Sequence, residues 1–343
     1  MNPRFYFSTC QVGAEKAVKA EVLAEYPQLR FAFSRPGFVT FKEENGEGAA
    51  LVLRKGIFTR LWGEVLAQTK DPQKLAELTA LVPPEAVVQH FDRDQFVPGE
   101  EPSGFVRNDR IEAVLKGLGE AAAHGEPTVG EAVYSFIWVD DFHVFLGRHV
   151  HTEHMVEAPG HIPEIALPED SPSRAWLKIE EAFSRFKPVL EKGMKVLEVG
   201  CAPGGATTAM SNRGLVVTGI DPQHMDERVY KLPGFKAIRK PARFVTAEDL
   251  AACNPDILVM DMSIAPLEAL AELGHVISLL RSMYGKELKI RQGFLTIKLN
   301  DWKYATEIPL YLKKLEQLGF HSLHPVQLCS NRQEFFVWSA RFK

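Results

Sequence analysis

Residues 195–210 read KVLEVGCAPGGATTAM. An apolar run of strand-forming residues ends at a Gly/Pro turn, and small residues then open a helix. In a strand–turn–helix of this kind a ligand sits at the carboxyl end of the strand, because glycine lets the backbone turn sharply and lets a ligand approach closely. The turn is not a phosphate loop, since it lacks Gly-Lys-Ser/Thr, and it is not a clean GxGxxG. Further apolar runs follow: VVTGID, ARFVTA, ILVMDMS, GFLTIKL and EFFVWSARF, with helical stretches between several of them. Continuous apolar strands separated by helices predict an α/β fold, a doubly wound, mostly parallel sheet covered on both faces.

The residues before this domain follow a different pattern. RFYFS, LRFAFS, GFVTFKE, LWGEVLAQT and AVVQHF read as strands. Residues 13–26, 72–82 and 110–123 read as helices, and residues 132–151 as a hairpin turning at Asp140-Asp141. The order is α+β, with nothing catalytic in it, and suggests one or two small domains for substrate recognition. Residues 152–172 are rich in Pro, Glu and His and read as a linker.

Composition narrows the function. Net charge is −4, so a generic coating of nucleic acid is disfavoured, although a local basic patch is still compatible with it. Cys10, Cys201, Cys253 and Cys329 are scattered without a CxxC pair, which points to reduced thiols and no zinc knuckle. No apolar run reaches the roughly 20 residues of a membrane helix, and the N-terminus lacks a secretory signal. The expected location is the cytoplasm, with neither membrane nor DNA as partner. His149, His151, Glu153 and His154 could suggest a metal, but a polar strand end leading into the linker explains them better, and no metal is expected.

Acidic residues at strand ends indicate the ligand. Glu198 could receive an ammonium group. Asp221, closing VVTGID, could accept both hydroxyls of a ribose. Glu248 or Asp249 could receive an adenine amino group. Together with the turn Gly200, Cys201, Ala202, Pro203, Gly204 and Gly205, these features fit S-adenosyl-L-methionine. They fit NAD less well, because its pyrophosphate prefers the fuller glycine pattern.

SRAWLKIEEAF, KGMKVLEVGCAPGGATT, ILVMDMS, GFLTIKLN and NRQEFFVW occur in that order. Residues 171–343 thereby resemble the FtsJ/RrmJ-type 2′-O-ribose RNA methyltransferase family. The resemblance implies a Rossmann-like methyltransferase sheet and a catalytic tetrad of Lys178, Asp261, Lys298 and Glu334. It also implies that Lys298 handles the proton of the ribose hydroxyl with its pKa lowered, that Lys178 supplies the charge that lowers it, and that the two acids position the lysines. Asp261 would also lie near the cofactor. Two positions depart from the family pattern: Glu198 stands where Asp is common, and Ala206 where a Trp is.

The N-terminal half is similar in element order and linker to members of this family that methylate a cytidine ribose in 23S ribosomal RNA. That similarity implies a ferredoxin-like domain at 1–58, a THUMP-like RNA-binding domain at 59–151, a linker at 152–172 and the methyltransferase domain at 173–343. The implied partner is large-subunit ribosomal RNA and the implied state a monomer. Alternatives are the same chemistry on tRNA, or a non-catalytic RNA-binding assembly factor retaining the cofactor pocket. A cytosine-C5 nucleophile role for Cys201 is disfavoured, because no Pro-Cys pair follows the Asp261 strand. Base-nitrogen methylation is disfavoured by the absence of Asn/Asp-Pro-Pro-Tyr/Phe there. Arg174, Arg185, Lys187, Arg239, Lys240, Arg243, Lys303 and Arg332 are candidate RNA contacts, with Trp302 and Tyr304 as candidate stacking surfaces.

Overall fold

The computed structural model describes residues 3–46, 49–54, 56–93, 126–153 and 155–343. The helix expected over 110–123 and His154 lie outside the described residues. The chain divides into two compact units, 1–164 and 165–343. Among the described residues no helix is long and apolar enough to cross a membrane.

The first unit contains β1 (Arg4–Thr9), α1 (Glu15–Glu25), β2 (Leu29–Arg35), β3 (Phe38–Glu43), β4 (Leu61–Thr69), α2 (Leu75–Thr79), β5 (Val87–Asp92), β6 (Ala132–Trp138) and β7 (Val144–Val150). One sheet runs in the order β2-β3-β1-β4-β7-β6-β5. β1 pairs antiparallel with both β3 and β4, so the sheet is continuous across the expected boundary at 58/59. The expected hairpin is β6–β7. Asp140 Oδ1 closes its turn by accepting the N–H groups of Phe142 and His143 at 3.1 and 2.9 Å.

His149 and His151 on and after β7 are buried. Burial and the neighbouring charge of His151 push His149 down to about 4, which favours the neutral imidazole. Both rings are packed groups within the fold. Among the described residues no group of His, Cys, Asp and Glu has the arrangement of a metal site.

The second unit contains α3 (Ala175–Phe186), β8 (Lys195–Val199), α4 (Gly205–Asn212), β9 (Val216–Ile220), β10 (Lys236–Ile238), β11 (Ile257–Asp261), α5 (Pro266–Tyr284), β12 (Gln292–Lys298), α6 (Ile308–Leu318), β13 (Phe320–Val326) and β14 (Glu334–Phe342). The sheet order is β10-β9-β8-β11-β12-β14-β13. β8 to β12 are mutually parallel, and β14 lies antiparallel between β12 and β13. The chain runs outward from β8 to β10, then returns to the other side of β8 at β11. That reversal is a topological switch point, where open α/β sheets place ligands. Ile179, Phe183, Val196, Ala209, Val259, Phe294 and Phe336 pack into one core between the sheet and the helices α3 and α4.

One sequence expectation requires correction, and two strands were not expected. ARFVTA is not a strand: Ala242–Phe244 is a single 3-10 turn after Pro241, and Phe244 is 60% exposed. Thr246 N–H then donates to Asp249 Oδ2 at 2.9 Å, which turns the chain away from the sheet. The edge strand is instead β10, too short and too polar to register as an apolar run. β13 (FHSLHPV) was also absent from the expectation, because its polar alternation and Pro325 mask a strand that pairs on one side only.

Candidate active site

The sheet ends bring three charged residues together. Asp261 closes β11, Lys298 closes β12, and Glu334 opens β14. Because β14 is antiparallel, its first residue pairs directly with the last residue of β12, so Lys298 and Glu334 are cross-strand neighbours. α3 supplies the fourth residue. Its apolar face (Ile179, Ala182, Phe183, Phe186) is buried in the core, which carries Lys178 inward beside it at 9% exposure.

The four side chains form a closed ring of alternating charge. Lys178 Nζ lies 2.7 Å from Asp261 Oδ2 and 2.7 Å from Glu334 Oε1. Lys298 Nζ lies 3.2 Å from Asp261 Oδ1 and in closer contact with Glu334 Oε2. Each lysine bridges both acids, so the formal charges cancel. Burial alone would raise the Glu334 carboxyl, but Lys178 and Lys298 outweigh it and hold the group at about 2. Burial alone would lower Lys298, but Asp261 and Glu334 outweigh it and hold the ammonium above its ordinary value. The expected lowering of Lys298 by Lys178 is therefore not found in this state. The two acids are nearer to Lys298 than sequence order reveals, and attraction to them exceeds the effect of burial.

The glycine turn packs directly on this ring. Gly200 has φ +86°, and a Cβ there would come within 2.5 Å of the Asp261 carbonyl oxygen. A Cβ on Gly205 would collide with Ser173, just ahead of α3, so the opening of α4 is seated against the segment that delivers Lys178. Ala202 N–H donates to Asp221 Oδ2 at 3.1 Å, and Gln223 N–H donates to Oδ1 at 2.8 Å. Asp221 is thus fixed at the end of β9, half-exposed, with oxygen lone pairs left for further donors. Pro203 C=O accepts from Asp226 N–H at 2.9 Å, Gly204 packs toward Val229, and Cys201 Sγ packs on Met225. Burial raises the Cys201 thiol, which agrees with a packing role.

Glu198 is 1% exposed and accepts the Thr207 hydroxyl at 2.6 Å. Burial pushes its carboxyl up, the Thr207 hydroxyl offsets part of this, and the charges of Asp261 and Asp221 add to it, reaching about 8. A carboxyl raised above its unfolded value holds an extra proton in the folded state at intermediate pH. Its contribution to stability is complete below the unfolded pKa and is lost as pH rises toward 8. Glu198→Gln should remove that loss. Between pH 5.5 and 8, the urea midpoint of the cofactor-free wild type is expected to fall relative to that of the variant. Parallel curves would show that Glu198 does not titrate in this range.

Ala206, where the family pattern has Trp, is 4% exposed within the core cluster, with no room for an indole. Glu248 is exposed. Asp249 is engaged by Lys240 at 2.7 and 2.8 Å. Of the candidate RNA contacts, Lys240, Arg243 and Lys303 are paired with Asp249, Glu272 and Asp301. Two buried residues beside the ring escaped sequence reasoning. Asn331 donates to Glu334 Oε1 at 2.9 Å, and Glu181 accepts the N–H groups of Cys329 and Ser330 at 2.7 and 3.2 Å. The only signal at Glu181 was its spacing of one helical turn from Lys178.

Residues 172–327 match the model of the FtsJ-like methyltransferase family. That span lies within the second unit. Lys178, Asp261 and Lys298 lie inside the matched span, and Glu334 lies beyond it. The chain is 28% identical over 363 residues to the ribosomal RNA large subunit methyltransferase M of Tolumonas auensis, covering 96% of this chain and 93% of that protein. It is 28% identical over 256 residues to the protein of the same name from Aeromonas hydrophila, covering 67% and 69%. The likeness to the first extends well beyond the FtsJ-like domain, across nearly the whole chain.

Proposed function

We propose that this chain transfers a methyl group from S-adenosyl-L-methionine to the ribose 2′-hydroxyl of a cytidine in large-subunit ribosomal RNA, acting as a cytoplasmic monomer. The carrying observation is the closed Lys178–Asp261–Lys298–Glu334 ring, packed against the glycine turn at the switch point. The names of the relatives supply the ribosomal substrate class.

The residues around the turn fit the cofactor. Asp221 would take the ribose hydroxyls, residues 200–205 would line the approach, and Glu198 and Glu248 would answer the ammonium and adenine groups. The cofactor supplies an electrophilic sulfonium methyl. The protein must orient a hydroxyl toward it and manage one proton. Lys298 is fully protonated within the closed ring. A hydroxyl that displaces its longer contact, the 3.2 Å one to Asp261, removes one of the charges that hold the proton. With that contact gone Lys298 releases one proton to solvent, and the neutral Nζ then takes the hydroxyl proton as the methyl is transferred, while Lys178 and Glu334 keep it in place.

Arg174 stands one helical turn before Lys178. Burial and the charge of Arg332 lower its guanidinium while Glu334 opposes them, and a backbone phosphate suits the two arginines. Residues 1–151, read as ferredoxin-like (1–58) and THUMP-like (59–151) parts ahead of the linker 152–172, serve RNA recognition in this reading.

The deciding experiment uses ribosomal RNA from a strain lacking the gene. Incubation with protein and S-adenosyl-L-methionine should protect one large-subunit linkage from alkaline cleavage. Methyl transfer without a protected linkage would mean that a base is modified, and would end the reading. A second measurement addresses the cofactor. Asp221→Ala removes an ionised acceptor worth about 1.5–3 kcal/mol, so S-adenosyl-L-methionine should bind roughly 10- to 100-fold more weakly by calorimetry. Unchanged affinity would remove Asp221 from the site.

A further inference from the structure

We propose that Asn331 is a positioning residue for methyl transfer, a buried amide whose N–H donation fixes the Glu334 carboxylate and, through it, both lysines of the ring. This rests on the tetrad reading above.

The loop between β13 and β14 determines which end of the amide faces the ring. Leu328 N–H donates to Asn331 Oδ1 at 2.8 Å, and Asn331 N–H returns to the Leu328 carbonyl at 3.0 Å. With Oδ1 taken by a backbone donor, Nδ2 is the end that meets Glu334 Oε1, at 2.9 Å. Oε1 therefore receives Lys178 Nζ and Asn331 Nδ2, while Oε2 receives Lys298 Nζ. A lysine ammonium on a four-carbon stem does little to fix the carboxylate plane. A fully buried amide, with its oxygen held by its own loop, fixes it well.

The loop is anchored to the helix that supplies Lys178. Glu181, 3% exposed, accepts Cys329 N–H at 2.7 Å, Ser330 N–H at 3.2 Å and the Ser330 hydroxyl at 3.2 Å. One helix thus presents a lysine to Glu334 and, one turn later, pins the loop that orients Glu334.

Asn331 Oδ1 serves the loop through Leu328 N–H while Nδ2 serves Glu334, which separates a structural role from a positioning one. Asn331→Asp keeps an oxygen for Leu328 N–H but turns a second carboxylate oxygen toward Glu334. The charged groups facing Glu334 are Lys178 from α3, Lys298 from β12 and Arg174 at the head of α3, with Asp261 beyond the lysines.

The test measures kcat, KM for ribosomal RNA and the Kd of S-adenosyl-L-methionine, using full-length wild type, Asn331→Asp, Asn331→Ala and Glu334→Ala. In Asn331→Asp kcat at pH 7 should fall roughly ten-fold, with KM and Kd within about two-fold, because the like charge turns the Glu334 carboxylate away from the lysines while that carboxylate, held at about 2, stays ionised. Asn331→Ala, which loses donor and acceptor together, should show the same split, a lower kcat with KM and Kd little changed. An Asn331→Asp enzyme with the wild-type kcat overturns the proposal, as does loss of cofactor binding in step with activity. If Glu334→Ala is fully active, the tetrad reading fails and takes the inference with it. An inactive Glu334→Ala beside a wild-type-like Asn331→Asp overturns the inference alone.

Discussion

Lys298→Ala is expected to lower the rate of methyl transfer by roughly a thousand-fold while the protein stays folded and binds cofactor. Lys298 is the ring member that touches both acids from the β12 side, and its removal leaves Asp261 and Glu334 sharing Lys178 alone. Breaking a buried ion pair costs up to about 3–5 kcal/mol when a charge is left unpaired, and Lys178 limits that loss here. Lys298→Arg sharpens the comparison. A guanidinium keeps the positive charge and reaches both carboxylates, but it does not release its proton near neutral pH. If Lys298 serves only as a fixed charge, the Arg variant should recover most of the rate. If it manages the hydroxyl proton, the Arg variant should remain at least about 100-fold down. Single-turnover methylation of unmodified ribosomal RNA reads both variants. An alanine variant within about three-fold of wild type would remove the tetrad from the mechanism.

Gly200→Ala should be the most damaging of the small substitutions. The residue sits at φ +86°, a conformation that costs an L-residue about 1–2 kcal/mol before any contact is considered. The added Cβ would also meet the Asp261 carbonyl oxygen at 2.5 Å and its carbonyl carbon at 2.8 Å, and backbone cannot swing aside as a side chain can. A total loss of roughly 3 kcal/mol or more follows, with Asp261 displaced at the end of β11. The expected signature is a lower urea midpoint, together with a fall in kcat larger than unfolding explains, because the displaced residue belongs to the charged ring. Gly193 offers a control: it also has positive φ, at +86°, but a Cβ there meets nothing within 4 Å. Gly193→Ala should carry the conformational cost alone and leave kcat unchanged. Equal effects at the two positions would mean that the contact with Asp261 is immaterial.

The sequence by itself determined the parts of this protein that rest on local chemistry. The apolar runs that become β8, β9, β11, β12 and β14 are buried on both faces, so the hydrophobic pattern shows them without knowledge of their neighbours. Gly200, Gly204 and Gly205 mark a turn that needs positive φ or close packing. Lys178, Asp261, Lys298 and Glu334 each fall in a short block whose order is visible along the chain. What the tertiary structure decided is what depends on neighbours distant in sequence. β10 and β13 are edge strands whose polar residues face solvent or a single partner, so no apolar run marks them. ARFVTA looks apolar enough for a strand, yet Pro241 and the Thr246–Asp249 turn carry it out of the sheet. The protonation of Lys298 is the clearest case. From sequence order Lys178 is the charge to weigh, and repulsion lowers the pKa. In the fold two carboxylates close on Lys298, one of them from an antiparallel strand that begins 36 residues later, and attraction raises it. The supporting role of Glu181 belongs to the same class, because a hydrogen bond spanning 148 residues leaves no periodic trace in a sequence.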